Sequence, residues 1–236
     1  MKDLYSTLKN RMNAVDALRI IKKKETYEKL SADLNLSPAI ISRYINGRVL
    51  PSNKRAEELL SAIFMTHPTS KIIKEFIKID DNGVIDDSEV ISNPALLRLL
   101  AIECHNVINE KIDVILTVEA DGIAFSEELA NIYEATLAVV KKERELGIDD
   151  FYEETEISFS SGIREAFYLP KKLMKKGQRV LIADDLARSG RTIGVLLRMV
   201  ESAGSIPAGI ALIISTKNAT ARVPQEIKKY VGLELS

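Results

Sequence analysis

The chain has 236 residues, enough for one large domain or for a small domain beside a medium one. No apolar run suggests a membrane span, the first residues lack the build of a secretory signal, and the single cysteine excludes an internal disulfide and argues against a zinc site, so we expect a cytoplasmic protein. The net charge of −1 divides unevenly, because residues 1–78 hold 15 Lys and Arg against 8 Asp and Glu and the remainder is acidic.

This charge asymmetry is expected if only the first part of the chain meets a polyanion, although chance variation over a short segment would look the same. Residues from about 12 to 66 are predicted to form a cluster of short helices. Ser52 opens the last of these helices, and His67-Pro68 ends it. The apolar residues at helical spacing are Ala14, Ala17, Leu18, Ile21, Tyr27, Leu30, Leu34, Ile40, Ile41 and Tyr44.

The segment from Thr26 to Arg48 predicts two helices joined by a tight turn. Asn35 occupies the turn position that needs a residue tolerant of positive φ. Ser37 can cap the second helix, Pro38 fits its first turn, and Asn46-Gly47 ends it. The apolar residues that would hold the pair together are Leu30, Leu36, Ile41 and Ile45.

This order of features resembles the helix-turn-helix of phage repressors, in which the start of the second helix meets base edges in the major groove of DNA. The resemblance implies base-facing side chains at Ser37, Ala39, Ser42 and Arg43. It implies phosphate contacts at Arg48, Lys54 and Arg55. The alternative is a small helical dimerisation module whose charges are only solvated.

After an Asp-rich turn, Asp80-Asp81-Asn82-Gly83, the pattern changes to short apolar strands that alternate with helices. Such alternation favours a parallel sheet covered on both faces. We therefore predict a helical domain over 1–78 and an α/β domain over 79–236. The predicted strands are Ile112–Val118, Arg179–Ala183 and Gly209–Ser215, and the predicted helices lie around 94–109, 123–134 and 190–203.

The strongest motif in the second half is Arg179–Thr192, where an apolar strand is followed by two acids and a short loop that opens a helix. Adjacent carboxylates can accept hydrogen bonds from both hydroxyls of a ribose. The backbone N–H groups of the loop can bind a phosphate at the positive end of the helix. The predicted ligand-binding residues are Asp184, Asp185, Ala187, Arg188, Ser189, Gly190, Arg191 and Thr192. A metal site or a simple strand-end cap is the alternative.

The motif resembles the phosphoribosyl pyrophosphate motif of type I phosphoribosyltransferases. That resemblance implies a pyrophosphate loop at Glu119, Ala120, Asp121 and Gly122, and a base contact at Lys217. It implies that Lys141–Tyr168 corresponds to the loop or hairpin that closes over the ligand. Four apolar residues suggest β structure there: Phe151, Tyr152, Ile157 and Phe159. A solvated hairpin without a chemical role fits that segment equally well.

Taken together, the two halves resemble the archaeal GfcR-type regulators, in which a helix-turn-helix precedes a type I phosphoribosyltransferase-like α/β domain with a central parallel sheet. The resemblance implies a homodimer that binds double-stranded operator DNA and responds to phosphoribosyl pyrophosphate, with Mg²⁺, or to a purine nucleotide. It implies no catalytic residue and no resident metal ligand. An active purine phosphoribosyltransferase with an accessory DNA-binding head remains the alternative.

Overall fold

A computed structural model of the chain describes residues 4–157 and 164–235. The chain forms two compact units, Met1–Ile77 and Lys78–Ser236, so the division falls one residue before the predicted one. None of the helices in these described ranges is long and apolar enough to cross a membrane.

The first unit is helical, and its helix ends follow the capping residues of the sequence. Thr26, Ser37 and Ser52 each accept a hydrogen bond from a backbone N–H three residues later, at the starts of α2, α3 and α4. Asn35 ends α2 with φ of 50°, the left-handed conformation predicted for the turn. The helices are α1 (Leu4–Lys22), α2 (Tyr27–Leu34), α3 (Pro38–Ile45), α4 (Asn53–Thr66) and α5 (Thr69–Lys74).

Most of the apolar set predicted from helical spacing forms the core of this unit, but Ile40 is exposed and Tyr27 and Tyr44 are only partly buried. Leu18, Leu30 and Ile41 are fully buried, as is Ile63 on α4. Burial of such side chains contributes about 1.5–3 kcal/mol each, which offsets the cost of ordering helices too short to be stable alone. The helices are therefore fixed mainly by packing around this core.

The second unit is an α/β fold. The Asp-rich turn is the tip of a two-stranded hairpin, where the Asp80 carboxylate accepts hydrogen bonds from the backbone N–H groups of Asn82 and Val84. The elements are β1 (Lys78–Ile79), β2 (Ile85–Asp86), α6 (Ser88–Ile91), α7 (Pro94–Val107), β3 (Val114–Val118), α8 (Ile123–Tyr133), β4 (Thr136–Val140), β5 (Phe151–Ile157), β6 (Arg164–Pro170), β7 (Arg179–Ala187), α9 (Arg191–Ser202), β8 (Ile206–Thr216), α10 (Lys217–Thr220) and β9 (Lys229–Leu235).

Five strands form one parallel sheet in the order β4-β3-β7-β8-β9, with helices on both faces. Side chains that alternate along β3, such as Val114 and Leu116, share one core with Leu196 and Met199 of α9. The opposite face packs against α7 and α8, where Ile108 at the end of α7 lies against Gly209 of β8. The predicted parallel sheet is confirmed.

The single cysteine is buried on the side of the sheet that α7 and α8 cover. Cys104 on α7 is fully buried, and its sulfur lies 4.0 Å from the Tyr133 hydroxyl. Burial raises the pKa of the Cys104 thiol above its ordinary value. The neutral thiol therefore behaves as an apolar core side chain.

Two features of the sheet differ from the sequence prediction. The third strand of the sheet order, β7, continues to Ala187 instead of ending at Ala183, because Asp184, Leu186 and Ala187 remain paired with β8. Strands β4 and β9 were not predicted. The hairpin expected within Lys141–Tyr168 is present as β5 and β6, while Phe159 lies outside the described residues.

Candidate functional site

The candidate site lies where two neighbouring strands separate. β3 and β7 are paired from Val114–Val180 to Leu116–Ile182, after which β3 continues beside β4 and β7 continues beside β8. The chain also builds the sheet outward in opposite directions from this pair: β4, which follows β3, lies on one side, and β8 and β9, which follow β7, lie on the other. Ligands of open parallel sheets bind at the carboxyl ends of the strands at such a switch point.

The predicted acid pair stands at this crevice, on the unpaired edge of β7. Asp184 and Asp185 both keep partial exposure to solvent, and the Asp184 carboxylate accepts a hydrogen bond from the backbone N–H of Asp185 at 3.1 Å. Burial, the Asp185 carboxylate and then Asp121 raise the pKa of Asp184 well above its ordinary value. A hydroxyl donor or a cation at this pair would therefore relieve the repulsion between its carboxylates.

The loop after β3 closes against this pair through a glycine. A Cβ on Gly122 would lie 2.8 Å from the Thr117 Oγ1 and 3.0 Å from the Asp184 Oδ1, so no larger residue fits. The peptide bond between Glu119 and Ala120 is cis. The predicted pyrophosphate loop and the predicted acid pair therefore lie side by side.

The Glu119 side chain forms a hydrogen bond to the backbone of the chain after β4. Its carboxylate accepts a hydrogen bond from the backbone N–H of Lys142 at 2.8 Å, and its own N–H donates to the Val140 carbonyl at 3.0 Å. These bonds tie the loop to the end of β4. Ala120 and Asp121 are exposed on the same loop.

The loop after β7 forms a cleft of about 170 Å³, lined by residues 186–193. Gly190 has φ of 71° and precedes α9, so the first N–H groups of that helix border the cleft. Ser189 and Thr192 are half-buried beside it, and Arg188 and Arg191 are exposed. This geometry suits a phosphate group.

The short helix α10 supports that loop from behind. The Thr216 hydroxyl donates to the Arg188 carbonyl at 2.6 Å, and a Cβ on Gly190 would lie 3.1 Å from the Ala219 carbonyl oxygen. Lys217, the predicted base contact, is exposed at the start of α10. It lies at the carboxyl end of β8, the same edge of the sheet as the acid pair.

The sequence interpretation missed one acid near the pair. Burial, followed by the charges of Asp185 and Asp121, raises the pKa of Asp87, and one of its carboxylate oxygens is enclosed without a hydrogen-bond partner. Asp87 immediately precedes α6 and lies four residues beyond the Asp-rich turn Asp80-Asp81-Asn82-Gly83. Sequence spacing gave no signal that this residue returns to the crevice.

The first unit places the predicted DNA-contacting residues around α3. Ser37, Ala39 and Arg43 are exposed, and so are Arg48 and Lys54. The exposed Arg55 pairs with Glu58 at 2.9 Å. Ser42 is only half-exposed, and the Asn46 side-chain amide donates to its hydroxyl at 3.1 Å and to its carbonyl at 2.8 Å. Ser42 therefore serves the end of α3 and is less available than its neighbours.

The profile of the phosphoribosyl transferase domain matches residues 88–236, more than half of the chain. The chain belongs to the phosphoribosyl transferase domain family. The match contains both loops and the acid pair, and Asp87 immediately precedes its first residue.

Within this family, the chain is 29% identical over 142 residues to a probable purine biosynthesis transcriptional regulator of Streptococcus pneumoniae, which covers 59% of this chain and 52% of the regulator. It is 32% identical over 126 residues to an adenine phosphoribosyltransferase of Brachyspira hyodysenteriae, covering 53% and 71% of the two chains. The crystal structure of the adenine phosphoribosyltransferase of Rhodothermus marinus superposes with a TM-score of 0.63 at 24% identity, over 71% of this chain and 98% of that one.

The chain thus spans about half the length of the bacterial regulator it resembles. The likeness to the Rhodothermus structure shows the type I phosphoribosyltransferase fold of the second unit. Regulators and enzymes both occur among the family members that resemble this chain.

Proposed function

We propose that this protein is a DNA-binding transcription regulator whose phosphoribosyltransferase-like unit binds phosphoribosyl pyrophosphate or a purine nucleotide as effector. The observation that carries the proposal is the pairing, in one chain, of a sugar-phosphate crevice with a separate unit whose α3 is exposed and flanked by cations. Similarity to a bacterial purine regulator supports it. We also propose, from its two motifs together, that the regulator is of the archaeal GfcR type.

The crevice fits a phosphorylated ribose. Asp184 and Asp185 stand where a ribose would present its hydroxyls, and the cleft before α9 offers N–H donors for the 5′-phosphate. Gly122 supports this assignment, because its missing Cβ lets the backbone of the first loop approach the acid pair. Carboxylate oxygens and phosphates are the ligands that Mg²⁺ prefers, so the same acids would hold that ion beside pyrophosphate and neutralise its charge.

The first unit supplies the DNA contacts. Ala39 and Arg43 are four residues apart on α3 and share its outward face, where Arg43 can pair with a guanine. Arg48 follows closely, since its backbone N–H donates to the Arg43 carbonyl at 3.0 Å. We propose that Arg48, Lys54 and Arg55 bind phosphates and that Ser37 lies at the base edges.

A homodimer would present two such helices to successive major grooves, which requires a spacing of about one helical turn of DNA. A ligand changes operator affinity only if it binds the DNA-competent arrangement and the other arrangement unequally. We propose that occupation of the crevice in the second unit provides this difference.

A working purine phosphoribosyltransferase with an accessory head is the second candidate. The intact acid pair and phosphate loop favour it, because they would serve a substrate as well as an effector, and the chain resembles an adenine phosphoribosyltransferase. Asp121 adds negative charge beside Asp184, which opposes bound pyrophosphate in both candidates unless Mg²⁺ offsets it, so this charge does not separate them. We favour the regulator because a transferase has no need of a basic helical unit.

Two single substitutions test the proposal in the full-length chain. Arg43→Ala should weaken operator binding and leave ligand affinity unchanged, whereas Asp184→Asn should abolish the ligand response and leave the unliganded protein able to bind DNA. Electrophoretic mobility shift and calorimetry measure the two affinities. Loss of both activities in either variant would contradict the assignment of the two sites.

Incubation with labelled phosphoribosyl pyrophosphate, Mg²⁺ and each purine base decides between regulator and enzyme. Nucleotide formation at ordinary enzymatic rates, about 1–1000 per second, would overturn the regulator as the main role. We expect binding without turnover.

A further inference from the structure

The outward face of α3 carries an apolar side chain that the predicted DNA contacts leave out. Ile40 is 39% exposed, although Ile41 beside it is fully buried. A helix rotates by about 100° per residue, so Ile40 flanks the outward positions Ala39 and Arg43. Two apolar residues and one arginine therefore make up most of this face.

The surroundings of Ile40 favour a polyanionic partner. Residues 34–56 contain Arg43, Arg48, Lys54 and Arg55 and no Asp or Glu, although the chain as a whole has slightly more acidic than basic residues. An isolated exposed isoleucine needs no special explanation on an ordinary surface. Here it lies in an acid-free segment whose cations, apart from Arg55 in its pair with Glu58, complement the charge of a nucleic acid.

A duplex offers one apolar group to such a side chain. The base edges in the major groove are hydrogen-bond donors and acceptors, with the C5-methyl group of thymine as the exception. From this juxtaposition we infer that Ile40 reads a thymine methyl group in the operator, next to the base pair contacted by Arg43. The inference rests on the proposed DNA-binding function and adds a specificity-determining residue to it.

The proposed contact predicts how much affinity for DNA is lost when the thymine methyl group is removed. Removal of one methyl group from an apolar contact corresponds to about a fourfold loss of affinity. The full-length protein would first select duplexes from a random pool. Each thymine of the selected duplex would then be replaced by deoxyuridine, which lacks only the methyl group, and the dissociation constant measured by fluorescence anisotropy.

We expect at least one thymine-to-deoxyuridine replacement to weaken wild-type binding by about fourfold. Ile40→Ala should bind the thymine duplex about fourfold more weakly or worse and should no longer distinguish the two duplexes at that position. Met65→Ala is the matched control, because Met65 is 79% exposed in the same unit but lies outside the acid-free segment. It should retain the full discrimination.

The outcomes separate this inference from the function on which it rests. If the wild type selects a duplex whose binding depends on Arg43 but no deoxyuridine replacement matters, the methyl contact is wrong and DNA binding stands. Discrimination that survives in Ile40→Ala overturns the assignment to Ile40. If the wild type enriches no duplex, both the proposed function and the methyl contact fail.

Discussion

The ligand-binding role proposed for Asp184 conflicts with its contribution to stability. Burial and two neighbouring carboxylates raise the pKa of its side chain above the ordinary value of 3.8. The folded state therefore holds the proton more tightly than the unfolded state does. This destabilises the folded chain progressively as pH rises above about 3.8, and the full effect is reached once the pH exceeds the folded-state pKa.

Asp184→Asn should therefore raise the melting temperature of the unliganded protein at pH 8, because it removes a carboxyl whose ionisation the folded state opposes and keeps an oxygen for the Asp185 N–H. The gain should shrink toward pH 4, where the wild-type carboxyl is protonated. Differential scanning calorimetry at the two pH values measures it. Asp149→Asn, at an exposed acid, is the control, and a gain that does not depend on pH would contradict the electrostatic explanation.

Two glycines make a matched pair for testing the close approach of the loops. Gly122→Ala would bring a methyl group within 3.0 Å of Thr117 and Asp184, whereas Gly194→Ala on α9 would meet only the Arg198 side chain at 3.7 Å. Gly194→Ala should stabilise the protein by up to about 1 kcal/mol through helix propensity. Gly122→Ala should destabilise it by about 1–3 kcal/mol.

Urea denaturation measures both glycine changes, and binding of phosphoribosyl pyrophosphate should be lost only in Gly122→Ala. Equal stability of the two variants would show that the loop after β3 is not packed against the acid pair.

Helix α9 connects the cleft after β7 with the β5–β6 hairpin. The helix begins at the cleft, and near its other end Arg198 donates to the carboxylates of Glu154 and Glu156 at 3.1 and 2.9 Å. The Ser202 hydroxyl also donates to Glu154, at 3.2 Å. The hairpin, which contributes no strand to the main sheet, is thereby held against a helix of the core.

Arg198→Ala should loosen this attachment without unfolding the unit. We expect amide hydrogen exchange in β5 to become about three to ten times faster, as expected for the loss of two partly exposed ion pairs. Lys142→Ala is the comparison, since Lys142 and Glu165 are about half-exposed and 3.6 Å apart. Similar exchange in both variants would mean that Arg198 does not anchor the hairpin.

The sequence predicted the elements whose signals are local and missed those that depend on pairing. Ser52, Asn35 and the apolar spacing determine helix ends and faces, so α2 to α4 were predicted well. The continuation of β7 past Asp184 could not be predicted, because two adjacent acids look like the end of a strand. β8 overrides that preference by pairing with β7 as far as Ala187.

In the candidate site, too, residues close together in the sequence were predicted, whereas a residue brought near only by the fold was missed. Asp184, Gly190 and Thr192 belong to one contiguous motif; Asp184 stands where β3 and β7 separate, and Gly190 and Thr192 line the cleft after β7. Asp87 is more than 90 positions earlier and joins them only through the fold, so no spacing could reveal it. Glu119 was assigned to the ligand from its position alone, whereas the structure directs its carboxylate to the Lys142 N–H.

Charge is divided between the two units: the first carries the basic excess and the second the acidic one. DNA binding by the first unit should then depend steeply on salt, because each phosphate contact releases condensed counterions. Arg48→Ala should reduce the slope of log affinity against log salt by about 1. A salt titration of operator binding measures this slope.

Lys172→Ala, at an exposed position of the second unit, should leave the slope unchanged. A slope that responds to Lys172 and not to Arg48 would place the DNA surface on the second unit.

The single cysteine allows opening of the second unit to be measured in the protein without any substitution. Because the Cys104 side chain is fully buried, a maleimide or disulfide reagent reaches its sulfur only during transient opening of the second unit. The rate of alkylation therefore counts those openings. An effector bound at the opposite end of the sheet would slow alkylation of Cys104 in proportion to its occupancy. The alkylation rate could therefore be used to screen ligands.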